Sequence, residues 1–252
     1  MAERKILRIS GTDRVEFLQG LVTNDVRRLA DGPLYAALLT PQGKLIADFF
    51  LLEDNESILL DVAAELAPGL MQRLSMYRLR ADVTIEETDL HLHRGLGDVP
   101  EDGVQDPRTA ALGWRAYRRE MAPADDVDWD ALRVAHGVPE WGAELGPDSY
   151  ILEQGFERLH GVDFRKGCYV GQEVTARMKH KTKLRKGIVR VAVSAPVEPG
   201  TTIETDGKPI GTLHTVAGAN ALAYLRFDRA SDEMTAGKAR VTLATGADTN
   251  FS

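Results

Sequence analysis

The sequence predicts an α+β protein built from strand-rich modules and a few amphipathic helices, and three observations carry that prediction. From Leu34, apolar runs broken by turn residues read as strand, turn, strand, turn, strand. The helix-period stripe Leu66, Leu70, Leu74 and Tyr77 follows them, so strands and a helix form one layered unit. After Gly187, the runs I-V-R-V-A-V, T-T-I-E, P-I-G-T-L, A-L-A-Y-L-R and A-R-V-T-L recur at regular spacing with turn signals between them, the pattern of a small barrel.

Composition sets the outer bounds. A chain of 252 residues holds one large domain or two to three small ones, and can bury roughly 70 to 75% of its unfolded surface. With 43% hydrophobic and 27% charged residues it is ordinary for a globular protein. No apolar run is long enough to cross a membrane. The opening M-A-E-R-K-I-L-R-I-S lacks the apolar core of a secretory signal, and Glu3 and Asp13 are unlike an acid-poor transit peptide, so a cytoplasmic protein is expected. A single cysteine makes no intramolecular disulfide and cannot alone supply a four-cysteine metal shell; any cluster would be shared with, or belong to, a client.

In chain order, residues 6–9 read as a strand. Gly11 and an N-cap at Thr12 open a helix with Val15, Leu18, Leu21 and Val22 at helical spacing. T-N-D at 23–25 reads as its terminal turn, with Asn24 able to take a left-handed conformation, in preference to a ligand-binding role. L-Y-A-A-L-L-T, P-Q-G-K, L-I-A-D-F-F-L-L, E-D-N-E and S-I-L-L-D-V then make a meander, followed by a helix over 66–77 and a strand in R-A-D-V-T-I-E-E. Asp48 interrupts an apolar strand. It reads as a residue of the solvated face or, if buried, as a proton-transfer group with a raised pKa. Residues 89–106 form a strand and a surface connection in which His91 and His93 share a face, either an edge pair or two metal ligands without a third nearby. D-P-R and L-G-W-R give a turn and a strand. A-D-D-V-D-W-D leads into a helix capped by Asp128 or Asp130 and ended by G-V-P at 137–139. Trp129, at that helix start, is a buried anchor or a stacking surface for a heteroaromatic ligand. Asp148 or Ser149 is expected to cap a further helix through Leu152, Phe156 and Leu159, and a polar tail from Thr245 is expected to fray.

Residues 165–186 hold the only cysteine inside the densest run of positive charge, eight Lys or Arg against Glu173, on a chain of net charge −7. An ordinary thiol is about 3% thiolate at pH 7, and flanking cations raise that fraction. Cys168 therefore reads as a nucleophile, redox group or soft-metal ligand, against the alternative of an inert buried thiol. A helix opening near Gly171 presents Arg177, Lys181 and Arg185 along one side, suited to a polyglutamate tail or an RNA backbone, or simply a solvated face.

K-G-C-Y-V-G-Q-E at 166–173 resembles the signature of the YgfZ-type folate-binding family, relatives of the glycine-cleavage T-protein that include mitochondrial iron–sulfur assembly factors. F-L-Q-G-L-V-T-N-D-V at 17–26, T-P-Q-G-K-L-I-A-D at 40–48, Y-R-L-R-A-D-V at 77–83, D-P-R with L-G-W-R, and W-D-A-L-R-V-A-H-G-V-P-E from Trp129 resemble family blocks in the same order. The resemblance implies a three-module T-protein-like ring: a split folate-binding first domain (1–33 and 91–184), an inserted ferredoxin-like domain (34–90) and a C-terminal small β-barrel (185–252). It implies tetrahydrofolate, or a derivative, as the ligand, and iron–sulfur carrier or client proteins as partners, with tRNA-modifying radical enzymes among the clients. Cys168, Lys166 and Asp48 are the expected reactive residues. Trp129, Asn24, Tyr169, Gly171, Gln172, Glu173 and Arg177 are expected on the folate side, and no resident metal is expected. Lys5 stands where some relatives carry a second Trp, and Ala47 replaces one member of an acidic pair that Asp48 completes. The alternatives are a folate-dependent aminomethyl-type transferase using Asp48 and, third, a direct tRNA-binding protein.

Overall fold

The structure is a computed structural model that describes residues 3–181 and 183–244; the expected fraying tail from Thr245 lies outside them. It divides into two compact units, one running to Asp125 and including Phe156–Val174, the other comprising Asp126–Gly155 and the chain from Thr175.

The first unit is built on a five-stranded antiparallel sheet. Its elements are β1 (Arg4–Ser10), α1 (Arg14–Gln19), β2 (Leu34–Leu39), β3 (Leu45–Asp54), β4 (Ser57–Ala63), α2 (Ala67–Arg78) and β5 (Thr84–Glu87), with sheet order β2-β3-β4-β1-β5. The meander is as the turn chemistry predicts, Asn55 taking φ +53 between β3 and β4. β1 sits between β4 and β5, so the N-terminal strand completes the sheet of the 34–90 segment. Side chains alternate across each strand. Phe49, Leu51, Leu60, Val62, Leu7 and Ile9 fall on one face and form a core with Leu70 and Leu74 of α2, each such side chain contributing roughly 1.5–3 kcal/mol on burial.

The other face carries polar groups in an apolar setting. Asp48, Phe50 and Asp61 lie there, and all are buried. Over this face the chain forms β6 (His91–Gly95), β7 (Gly103–Gln105) and β8 (Trp114–Arg118), in the order β6-β8-β7. Arg115 of β8 pairs with Asp61, which also takes Arg4 Nε at 2.7 Å and the Tyr117 hydroxyl at 2.9 Å. Asp106 takes the Arg108 fork at 3.0 and 2.8 Å, and the Arg115 and Arg108 guanidinium carbons stand 3.8 and 4.7 Å from the Phe50 ring centroid. D-P-R and L-G-W-R thus supply two cations to a buried network with two carboxylates.

The second unit contains α3 (Trp129–Ala135), most of α4 (Gln172–Lys181), and a closed barrel of β9 (Lys186–Val193), β10 (Thr202–Thr205), β11 (Lys208–Ala217), β12 (Asn220–Arg226), β13 (Met234–Ala236) and β14 (Ala239–Leu243). Strand order is β10-β11-β12-β9-β14-β13. Val189, Val191, Val193, Ile203, Leu213, Leu225 and Val241 fill the interior. Asp206 and Gly207 have φ +53 and +68, the two left-handed positions a two-residue hairpin needs. Asp128 caps α3 by accepting from Ala131 N at 2.8 Å, and Gly137 at φ +67 ends it, both as the sequence predicts.

Four local expectations are corrected. Residues 151–160 are successive turns, not a helix, because Gly155 and His160 take positive φ and the amides bond three residues back. Asp13 rather than Thr12 precedes α1, and Thr12 instead donates to Asp82. Asn24 has no left-handed backbone. α4 ends at Lys181, which leaves Arg185 off the expected basic stripe.

Candidate functional site around Cys168

K-G-C-Y-V-G-Q-E is a loop whose shape is dictated by two distant parts of its own unit. The first is the end of α1. Lys166 is buried, and its Nζ donates to Gln19 O at 2.7 Å and to Val22 O. Gln19 O is a carbonyl that the end of α1 leaves unsatisfied, where the macrodipole favours a cation, and Val22 lies just beyond that helix in a bridge to Leu38. The ammonium stands 5.0 Å from the Tyr169 ring centroid. Burial lowers the Lys166 pKa to about 8, against the pull of the Asp25 and Asp163 carboxylates. Lys166 is therefore committed to carbonyl oxygens, while Cys168, two residues on, is exposed.

The second is the β2–β3 turn T-P-Q-G-K. Gly171 has φ +83, and a Cβ there would stand 2.6 Å from Thr40 O and 3.3 Å from Gly43 Cα. Gly43 has φ +75, and a Cβ there would stand 2.8 Å from Val174 Cβ. Two motifs far apart in sequence meet backbone to backbone, and only glycine permits the approach. Tyr169 is buried, its carbonyl accepting from Gln172 N at 3.2 Å at the start of α4. Glu173 and Arg177 are exposed on that helix.

T-N-D works as a knot instead of a simple turn. Thr23 Oγ1 donates to Gly161 O at 2.7 Å and accepts from Ala37 N at 2.8 Å, and Thr23 O accepts from Asp163 N at 3.0 Å. Asn24 Nδ2 donates to Tyr35 O at 2.8 Å and to His160 O at 2.7 Å, and its Oδ1 accepts from Asp25 N. Both amide protons of Asn24 are used inside the protein. These bonds fix the chain entering the cysteine loop.

Asp48 corrects the solvated-face expectation. It is 3% exposed, because its strand face is covered by aromatic side chains: Tyr35 lies 5.3 Å from Phe50 and 4.9 Å from Phe156, centroid to centroid. The Tyr35 hydroxyl donates to Asp48 Oδ2 at 3.0 Å. Burial, with Asp48 beside it, pushes the Tyr35 hydroxyl pKa well up, which keeps it a donor. Asp48 Oδ1 is buried without a hydrogen-bond partner, a condition that costs about 1–3 kcal/mol unless something supplies a donor. Tyr35 escapes sequence reading because it sits in an apolar run. The signal that could have found it is hairpin register, which pairs Tyr35 with Phe50 and Ala37 with Asp48 and so puts Tyr35 and Asp48 on one face.

Trp129 and Arg177 belong to the other unit. Trp129 is buried at the first position of α3, whose Arg133 donates to Glu144 Oε2 at 2.6 Å and to Thr215 Oγ1, tying the helix to β11. Among the described residues no three His, Cys, Asp or Glu stand together as a metal-binding group. His93 is instead hydrogen-bonded to Glu120 O at 2.8 Å.

Residues 185–247 match the family described as CAF17, C-terminal beta-barrel domain. The mouse protein named iron-sulfur cluster assembly factor IBA57, mitochondrial, is 32% identical over 274 residues, covering 89% of this chain and 76% of the relative. A Phaeosphaeria nodorum homolog of the same name is 31% identical over 284 residues, covering 90% and 70%. Among solved structures, the glycine cleavage system aminomethyltransferase T of Bartonella henselae superposes with a TM-score of 0.75 at 15% identity, covering 94% of this chain and 81% of that one, which establishes a T-protein-like fold. The cytoplasmic expectation is overturned by these relatives, which are mitochondrial by name.

Proposed function

Because the chain belongs to the IBA57 family of iron–sulfur cluster assembly factors, we propose that it promotes assembly or repair of 4Fe–4S clusters in client enzymes through Cys168, on a scaffold that binds tetrahydrofolate. The observation that carries this reading is the exposed thiol on a loop fixed by buried contacts at both ends. Cys168 gives its proton to water and its sulfur lone pair to a cluster iron, with no change of oxidation state. One sulfur fills one of four positions around iron, so the remaining ligands come from sulfide and from the carrier or client. The client set includes the radical enzymes that thiolate tRNA.

The folate part rests on Asp48. Its partnerless Oδ1 suits an N–H donor such as those of a pterin, and Tyr35 holds the other oxygen so that the carboxylate cannot turn away. The sequence resemblance supports Tyr169 and the segment from Gly171 to Glu173 in the first unit, where Asn24 acts as a strut, and, separately, Trp129 and Arg177 of the second unit as folate-contact residues. When bound, tetrahydrofolate supplies a one-carbon carrier. A buried carboxylate also suits proton transfer, which favours an aminomethyl-type transferase as the second reading; turnover of methylene-tetrahydrofolate by the purified protein would select it.

In cells lacking the protein, Cys168→Ser should fail to restore the activity of a 4Fe–4S dehydratase and the level of thiolated tRNA, while melting like the native protein. Full restoration by that variant would sink the proposal.

A further inference from the structure

The motif Y-R-L-R-A-D-V has no part in the reading above, and its geometry is unusual. The inner side of α2 is buried through Leu70 and Leu74, but Met76 is 72% and Leu79 88% exposed just outside that core. Leu79 also has φ +45 and ψ −101. A non-glycine residue in such a region costs about 1–3 kcal/mol, and persists only where its surroundings impose it.

Here the surroundings do. Ala81 N donates to Arg78 O at 2.8 Å, Val83 N to Ala81 O at 2.9 Å, and an Arg78 guanidinium nitrogen to Val83 O at 3.2 Å. Asp82 Oδ2 accepts from Thr12 N at 3.0 Å and Thr12 Oγ1 at 2.8 Å, and Asp82 N donates to Asp13 Oδ2 at 2.8 Å. Gly11, at φ +103, lies so close that a Cβ would stand 2.1 Å from Asp82 O. The fold thus spends backbone strain to hold an aliphatic side chain in water. Around it Arg73, Arg78 and Arg80 are exposed, and among the described residues none of the three pairs with a carboxylate. On a chain of net charge −7 this is a local excess of the opposite sign.

We propose that Met76 and Leu79, ringed by Arg73, Arg78 and Arg80, form a docking surface for a protein partner that offers an apolar recess bordered by carboxylates. Charge complementarity selects the acidic rim, and the aliphatic knob selects the recess. A nucleic acid is disfavoured: Tyr77 is half-buried, so the knob is aliphatic and offers no open aromatic face on which a base could stack. The inference does not depend on Cys168 or folate.

The test places photoreactive p-benzoylphenylalanine at Leu79 in the full chain, irradiates cells that depend on it, and maps the adduct by mass spectrometry. The expected result is a protein adduct attached beside Asp or Glu residues, its yield falling at least about fivefold when Arg78→Glu and Arg80→Glu are added. No adduct, an adduct to nucleic acid or to a second copy of this chain, or a yield indifferent to charge reversal would overturn the proposal. Leu79→Gly, which relieves the strain, should melt no lower than the native protein; a lower melting point would make the knob structural and also overturn it. Cys168→Ser leaves this patch untouched, so failure of docking and failure of cluster delivery are read separately.

Discussion

Asp48 has one oxygen held by Tyr35 and the other held by nothing, and that asymmetry makes its role testable with a single atom exchange. In Asp48→Asn the carbonyl oxygen can keep the Tyr35 bond, while an NH₂ group replaces the free acceptor. A ligand donating to Oδ1 would then face a donor. Tetrahydrofolate affinity should fall at least about tenfold, equivalent to about 1.4 kcal/mol, with little change in stability because one unpartnered buried polar group takes the place of another. Equilibrium dialysis decides it, and equal affinity in the two proteins would refute the role of Asp48. Lys166 presents the opposite case. Its place in the motif was legible, but the carbonyls that receive its ammonium lie 147 and 144 residues away in sequence, so its task of pinning the loop was not.

At the scale of elements, the Cys168 loop exists because two glycine-bearing turns touch. Gly171→Ala would drive a methyl group toward the Thr40 carbonyl oxygen and the Leu39 side chain at a positive φ, and should cost about 1–3 kcal/mol or more in urea unfolding. Gly167, one residue before the cysteine, faces open space with nothing within 4 Å of an added Cβ. Gly167→Ala should stay within about 0.5 kcal/mol of the native protein. Equal effects from the two substitutions would mean the backbone contact is not what shapes the loop. Residues 151–160 are the counterexample, where apolar spacing predicts a helix and positive φ at Gly155 and His160 gives turns. Hydrophobic period reports which side chains are buried, as Leu152, Phe156 and Leu159 are, and not how the backbone buries them.

Across the whole molecule, the buried network of Asp61, Asp106, Arg108 and Arg115 ties acid resistance to the core. Burial alone would raise Asp61 and Asp106, but the guanidinium groups of Arg4, Arg115 and Arg108 prevail and hold both below the ordinary 3.8. A carboxylate depressed in the fold binds its proton less readily than in the unfolded chain. Its contribution is therefore complete above the ordinary value and is lost as pH falls through the folded one. The urea midpoint should hold from neutral pH to about 5 and drop below about pH 4. Asp106→Asn should be less stable at pH 7 and show a flatter acid limb; an unchanged limb would show that the network does not govern acid unfolding.

The barrel, the meander, the capped start and glycine end of α3, and the glycine–cysteine signature were fixed by the sequence itself, because turn preferences, side-chain alternation and capping are properties of neighbouring residues. Tertiary structure alone decided that Asp48 is buried with a free oxygen, that Asn24 is a strut, and that Lys166 faces inward while Cys168 faces out. Each of these depends on partners brought close by folding. Burial and hydrogen bonding are relations between distant parts of the chain, and the order of residues specifies them only through the packed whole.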